Sequence, residues 1–305
     1  NESTKHGVGD DCAVLSLSDH QVVSTDMFVE HIHFDLVYTP LKHLGYKVVA
    51  AAVSDICAMN AIPSQITIAL GISSKYTLEA LEELYIGILS ACKAYNVDLV
   101  GGDTTSSSKG LILSVTAIGS APKDELVHRN TAETGDLLCV TGDLGGAYCG
   151  LQILEREKKV FLEHSDMQPD LENKSYIVGR QLKPEARVDL KSIFKELGIK
   201  PTSMIDVSDG LSSEILHLSK ESKVAFTVHE DKLPIDQQTY DTALELNLAP
   251  TTCALNGGED YELLFTLPQK HYDKIKHSPE ISVIGYCTPI EQGNKLVSKS
   301  GSVFE

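Results

Sequence analysis

Val97-Asp98-Leu99-Val100-Gly101-Gly102-Asp103-Thr104-Thr105 passes from a short apolar run into two glycines, a carboxylate and two hydroxyls. The run predicts a strand over Val97–Val100. The glycines and Asp103 then fall where ligand-holding loops emerge from α/β sheets, although a tight turn would use glycines equally well. Upstream, Thr77 is a good N-cap for a helix in which Leu78, Leu81, Tyr85, Ile88 and Cys92 share one face. Before that helix, Gln65–Gly71 reads as a strand. Pro40–Ala61 reads as a helix dense in Val and Ala, with Pro63 marking its end. Val22–Phe28 alternates as a strand does, and Leu111–Gly119 is the strand that follows the glycine stretch. This alternation of strands and helices predicts an α/β or α+β fold.

The segment Ala121–Gly135 is polar and contains Pro122 and Gly135, so the domain boundary is expected there, with 1–122 and 123–305 as the two halves. The second half opens with a strand at Leu137–Thr141, then Gly142-Asp143-Leu144-Gly145-Gly146 and a helix through Lys158. Lys159–Gln168 reads as exposed polar chain. Val188–Leu197 reads as helix, and Ser203–Val207 as a strand entering Ser208-Asp209-Gly210 and another helix. Further strands are expected at Val224–His229, Glu262–Leu267 and Ile281–Tyr286.

A chain of 305 residues favours two domains over one. Hydrophobic residues at 42% and charged residues at 23% are what a soluble chain needs to bury a core. The formal net charge of -17 disfavours nucleic acid and anionic membrane as partners. Seven scattered cysteines without a C-x-x-C pair give no zinc signature, and they fit a reducing cytoplasm better than a disulfide scaffold. No apolar run approaches the ~20 residues of a membrane span, and no signal peptide is visible. Because the chain opens on Asn1 and not on Met, a native start upstream is expected.

Five acidic clusters carry the chemistry. They are Gly9-Asp10-Asp11, Ser24-Thr25-Asp26, Gly101-Gly102-Asp103, Asp206-Val207-Ser208-Asp209-Gly210 and Gly257-Gly258-Glu259-Asp260. A buried carboxylate without a counter-charge is costly, so such groups take a cation. Hard oxygen ligands beside glycines, where backbone comes close, point to magnesium holding phosphates. Asp55, set among the small and apolar residues of Val48–Ala58, belongs with them. Asp11 alone would read as a turn residue, and an N-cap role competes for Ser208 or Asp209 but not for both Asp206 and Asp209.

His31 and His33 would share a face if extended, but no further His or Cys completes a zinc site. Arg129 suits a phosphate or a plain surface position. No P-loop and no protein-kinase signature set occurs. No nucleophile–base pair stands out.

Read in order, several stretches resemble the thiamine-monophosphate kinase family of the aminoimidazole-ribonucleotide-synthetase-like superfamily. They are GVGDDCAVL (7–15), STDMFVEHIHF (24–34), YKVVAAAVSDICAMNAIP (46–63), GGDTT (101–105), HRNTAETGDLLCVTGDLGGAYCGL (128–151), IDVSDGL (205–211) and GGEDYELLF (257–265). The resemblance implies a two-domain α/β (α+β) protein, with an N-terminal mixed sheet and helices (1–122) for ATP, magnesium and dimerisation. A C-terminal α/β domain (123–305) would complete the active site.

It further implies a cytoplasmic homodimer that spends ATP, with several magnesium ions, to convert thiamine monophosphate to thiamine diphosphate. By position, Asp11, Ser24, Thr25, Asp26, Asp55, Asp103, Asp206 and Asp209 would hold magnesium. Gly102, Asp103, Arg129 and Ser208 would contact ATP, and His33 and Glu259 the thiamine phosphate. His31 stands where the family commonly has glycine. Most of the family's segment ahead of Gly-Asp-Asp, and its C-terminal aromatic stretch, have no counterpart here.

A phosphate acceptor is already ionised near neutral pH. A site rich in carboxylates and without a strong base therefore suits such a transfer. Alternatives are another superfamily enzyme, such as aminoimidazole ribonucleotide synthetase or selenophosphate synthetase, or a silent nucleotide- or metal-binding homologue. Cys12 in an apolar run is unlike the mobile reactive cysteine that selenophosphate chemistry needs.

Overall fold

In the computed structural model, residues 2–6, 14–15, 19–164 and 168–305 are described, and the chain divides into two units. One comprises 1–126 together with 182–188, and the other 127–181 together with 189–305. No helix among the described residues is long and apolar enough to cross a membrane.

In the first unit β1 (Thr4–His6) pairs with β2 (Val14–Leu15). The main sheet contains β3 (His20–Val29), β4 (Ile62–Ile72), β5 (Asp98–Ser106) and β6 (Leu111–Ala121), in the order β3-β6-β4-β5. β4 and β5 are parallel because α2 (Leu78–Tyr95) crosses between them, whereas the other pairs are antiparallel. α1 (Leu41–Ala58) joins β3 to β4.

Alternation decides which sheet face is buried. Leu111, Leu113, Val115 and Ala117 of β6, with Ile66, Ile68 and Leu70 of β4, form a dry layer under the helices. Burial of each larger aliphatic side chain contributes about 1.5–3 kcal/mol. The opposite face carries Val23, Thr25, Met27, Thr116 and Ile118, and Val23 and Met27 are 64% and 57% exposed.

Thr77 caps α2 as its sequence predicts, its Oγ1 accepting from the Ala80 N–H at 3.3 Å. The buried stripe of α2 is Leu84, Ile88, Cys92 and Tyr95, and Leu78 is exposed, so the expected face is turned toward its C-terminal end. Cys57 and Cys92 are core residues. The short segment 182–188 joins this unit through Glu185, whose Oε2 accepts from Tyr46 Oη (2.5 Å) and Tyr95 Oη (2.9 Å).

The second unit is built on a mixed sheet ordered β13-β12-β9-β11-β7-β10-β8. Its strands are β7 (Leu137–Thr141), β8 (Ser203–Asp206), β9 (Val224–His229), β10 (Leu263–Leu267), β11 (Ile281–Pro289), β12 (Lys295–Val297) and β13 (Val303–Phe304). Among these pairings only β12 with β9 is parallel. The helices are α3 (Gly146–Glu163), α4 (Ser175–Leu182), α5 (Leu190–Leu197), α6 (Leu211–Ser222), α7 (Gln237–Glu245), α8 (Pro250–Asn256) and α9 (Tyr272–Ile275).

Leu138, Val140, Ile205, Leu218, Phe226 and Leu264 form the core between sheet and helices. α3 runs past Lys158 to Glu163, and within it Glu157 turns inward and accepts from Arg156 Nε (2.8 Å) and the Asp170 N–H (2.8 Å). The exposed polar stretch expected from Lys159 is therefore partly helical.

Candidate functional site

In the first unit, Ser24, Asp26 and Phe28 of β3 point to the helix-covered face, as the two-residue period requires. Asp55 comes from the last turns of α1. Ser24 Oγ donates to Asp55 Oδ2, so strand and helix are joined through a carboxylate. The Asp26 carboxyl is pushed up to about 6, first by burial and then by the negative charge of Asp55. Two carboxylates so placed, with a hydroxyl between strand and helix, form a hard-oxygen set that a divalent cation would relieve. Among the described residues no group of three His, Cys, Asp or Glu side chains converges as a metal cage. Asp11 lies outside the described residues.

The polar trio Ser24-Thr25-Asp26 sits within β3, which continues to Val29. Thr25 points to the open face, where its Oγ1 lies 2.8 Å from Thr116 Oγ1.

Gly101, Gly102 and Asp103 likewise lie inside a strand, since β5 runs to Ser106. The reason is local. The β4/β5 register shifts between Ile66 and Thr67, and pairing resumes at Thr67 with Gly101. A side chain at Gly102 would meet the Ile68 carbonyl oxygen at 2.1 Å, so only glycine lets the edge strand lie this close. Asp103 is exposed, and its Oδ1 accepts from the Thr104 N–H at 2.8 Å. Asp26 pairs with Val115, Val115 with Ile68, and Ile68 with Gly102. Asp26 and the Gly102-Asp103 edge are thus three strand spacings apart, roughly 14 Å.

The His31–His33 segment is a turn, not an extended strand, so the two imidazoles do not share a face. His31 adopts φ 66, a left-handed conformation that explains why glycine suits this position. His33 Nδ1 accepts from the Val29 N–H (3.1 Å), which leaves Nε2 as the outward donor. Glu30 anchors the turn from beneath, accepting from the Leu111 N–H (2.7 Å), Tyr76 Oη (2.6 Å) and Lys75 Nζ (2.5 Å).

In the second unit, Asp206 ends β8 and is buried, while Asp209 is exposed on the turn into α6. The Asp209 N–H donates to Glu214 Oε1 at 3.1 Å. Burial lifts the Glu214 carboxyl above the usual carboxylate range; the Asp209 N–H bond opposes the shift, the Asp209 charge adds to it, and His217 and Arg129 oppose it. Arg129 is exposed, and its carbonyl is held by Ser222 Oγ at 2.8 Å. Arg129 and Asp209 therefore both act electrostatically on one buried carboxylate.

The loop carrying Glu259 lies alongside Ser208. The Glu259 N–H donates to the Ser208 carbonyl (2.7 Å), and the Tyr261 N–H to Val207 (2.9 Å). Gly258 makes this possible, having φ +72, and a Cβ there would stand 2.8 Å from the Ser208 oxygen. Ser208, Asp209 and Glu259 thus lie on adjoining loops.

A buried cluster that no sequence motif marks lies behind that loop. Arg180 NH1 donates to Glu262 Oε1 (3.0 Å), and NH2 to the carbonyls of Asp143 (3.0 Å) and Asp260 (3.2 Å). Asp260 accepts the Gly145 N–H (2.7 Å) and the Ala147 N–H (3.3 Å) at the start of α3, and Thr141 Oγ1 donates to Glu262 (2.6 Å). Burial alone would lower the Arg180 pKa, but Glu262, then Asp260 and Asp143, hold its guanidinium charged beyond the usual range. The signal was present in Glu259-Asp260-Tyr261-Glu262, where three acids enter an apolar run that cannot solvate them.

Residues 9–121 match the family described as AIR synthase related protein, N-terminal domain. The thiamine-monophosphate kinase of Bacillus subtilis (strain 168) is 34% identical over 297 residues, covering 94% of this chain and 86% of the relative. That of Aquifex aeolicus (strain VF5) is 31% identical over 295 residues, covering 96% and 91%. The crystal structure of thiamine-monophosphate kinase from Stenotrophomonas maltophilia K279a superposes with TM-score 0.83 at 28% identity, covering 99% of this chain and 92% of that one. A structure described as AaThiL complexed with AMPPCP and TMP gives TM-score 0.80 at 28% identity, covering 98% and 89%. With acidic strand and loop positions in place and a relative 34% identical along nearly its whole length, the chain belongs to the thiamine-monophosphate kinase family.

Proposed function

We propose that this protein transfers the γ-phosphoryl group of ATP directly to thiamine monophosphate, giving thiamine diphosphate and ADP, with magnesium as the required cation. The observation that carries the reading is the Ser24–Asp26–Asp55 cluster, a set of hard oxygens in which burial, and then the charge of Asp55, push Asp26 up to about 6. Relatives named thiamine-monophosphate kinase, and a related structure holding AMPPCP with TMP, support the substrate pair.

Asp11, Ser24, Thr25, Asp26, Asp55, Asp103, Asp206 and Asp209 would hold the magnesium ions. Bound there, magnesium neutralises two polyanions that must approach each other, as phosphoryl transfer requires. The chain's own groups do the rest. The Gly102 backbone, Asp103, Arg129 and Ser208 position the nucleotide, and His33 presents its Nε2 proton to the acceptor phosphate while Glu259 orients the thiamine. No residue is assigned as nucleophile or base, because the acceptor phosphate is already ionised.

Residues 1–122 serve as the magnesium-binding and dimerising half, and 123–305 complete the site. The six cysteines among the described residues are buried and not joined in disulfides, which supports a reducing, cytoplasmic setting. The exposed sheet face with Val23 and Met27 supports a homodimer.

The test is chromatographic detection of thiamine diphosphate and ADP from purified protein, with and without magnesium. Product only when ATP, thiamine monophosphate and magnesium are all present is the expected result. ATP turnover with an aminoimidazole precursor in place of thiamine monophosphate would sink the reading, and a trapped radiolabelled phosphoenzyme would overturn direct transfer.

A further inference from the structure

Gln181 is the last residue but one of α4 and is buried, only 4% exposed. Its Nε2 donates to Glu259 Oε2 at 2.9 Å. An amide placed against a carboxylate must present its N–H₂ group, so the direction of this bond is set by chemistry. The helix that carries it is fixed at both ends. The Tyr176 and Ile177 N–H groups donate to Gln238 Oε1 (3.0 and 3.3 Å), and the adjacent Arg180 is clamped by Glu262 and the carbonyls of Asp143 and Asp260.

Glu259 is held independently at its backbone. It adopts φ 57 and donates its N–H to Ser208. Both backbone and carboxylate of one half-buried residue are therefore locked, which is what a group aimed at a ligand needs and a surface loop residue does not.

We infer that Gln181 is the positioning residue for Glu259, fixing its carboxylate for the cationic thiamine part of the acceptor. This rests on the function proposed above. Gln181 acts on the acceptor through Glu259. Its loss should therefore be read in acceptor recognition and not in the chemical step.

The experiment is steady-state kinetics of Gln181→Leu and Gln181→Glu, with Glu259→Ala and the Gln181→Leu/Glu259→Ala double variant. Gln181→Leu keeps approximate volume and removes the donor, and Gln181→Glu sets a second carboxylate against the first. The expected result for each is a rise in KM for thiamine monophosphate of about tenfold or more, the scale of one hydrogen bond to a charged group. KM for ATP and kcat should stay within about twofold of wild type. In the Glu259→Ala background Gln181→Leu should add nothing, giving a strongly non-additive cycle.

Equal rises in both KM values, additive effects, or an unchanged KM for thiamine monophosphate would overturn the positioning role while leaving the kinase reading intact. A wild-type protein that does not phosphorylate thiamine monophosphate would overturn both. Should Gln181→Leu misfold, Gln181→Glu carries the same acceptor-specific expectation, and circular dichroism identifies the folded variant.

Discussion

The Glu259 N–H donates to the Ser208 carbonyl at 2.7 Å, so two loops fifty residues apart in sequence share one backbone hydrogen bond. One loop enters α6 with Asp209, and the other brings Glu259 back toward β10. Joined, they present a serine, two carboxylates and several backbone dipoles on one side of the second unit.

Gly258→Ala tests that junction. The new methyl group would stand 2.8 Å from the Ser208 oxygen, at a backbone φ of +72 that alanine avoids. We expect a stability loss of about 1–3 kcal/mol in urea unfolding and a larger fractional loss of turnover than of fold. Gly179, around which a Cβ meets nothing within 4 Å, is the control site, and Gly179→Ala should cost nothing measurable.

Asp26→Asn should separate stability from function. In metal-free wild type the folded protein holds the Asp26 proton up to about 6, against an ordinary value of 3.8. The stabilisation is then full below the ordinary value and is lost as pH rises through about 6. A shift of this size corresponds to about 3 kcal/mol, which solvent screening of a half-buried group reduces to about 1–2 kcal/mol. Asparagine does not titrate. In EDTA the variant should therefore gain on wild type by about 1–2 kcal/mol between pH 4 and pH 7.5, measured by urea unfolding. Turnover should be nearly abolished, as loss of one electrostatic stabiliser costs about 2.7–4 kcal/mol of barrier, and Asp103→Asn should behave likewise in the assay. Wild-type rates at saturating magnesium would make both turn or strand residues only.

The main elements are legible in the sequence because their periods are clean. β6 alternates without a break over eleven residues, and Thr77 caps α2. What is not legible depends on distant partners. Asp103 looks like a loop residue until β4 supplies a neighbour for β5, and His31 looks like half of a metal pair until Phe34 and Val29 close the turn around it. Helices α4, α7 and α8 are short and owe their form to packing in the second unit, so local propensity does not announce them. Arg180 and Gln181 sit on such a helix, outside every recognisable motif.

Arg180→Met should be the most damaging single change in the second unit. It leaves Glu262 and Asp260 buried at 3% and 1% exposure without their guanidinium partner. Breaking a buried pair in this way costs about 3–5 kcal/mol. The loss should be partly recovered by adding Glu262→Gln, which removes one of the stranded charges while Thr141 keeps a partner. Urea midpoints of the single and double variants decide it. Full stability of Arg180→Met would show that the carboxylates are protonated in the native protein.

The open face of the first unit's sheet carries the last prediction. Val23 and Met27 project from β3 beside Thr25, whose hydroxyl is joined to Thr116 of β6. Such an apolar surface on a sheet is a contact surface in most soluble proteins. This surface lies on the face of β3 opposite Asp26, so a second copy would buttress from behind the strand that carries Asp26. Light scattering of wild type at low micromolar concentration should give about twice the 33.1 kDa of one chain. Met27→Glu combined with Val23→Lys, both surface changes without a core role, should give the single-chain mass with unchanged circular dichroism and greatly reduced turnover. A wild-type mass near 33.1 kDa would remove the dimer, and a fully active single-chain variant would show that Asp26 needs no second copy.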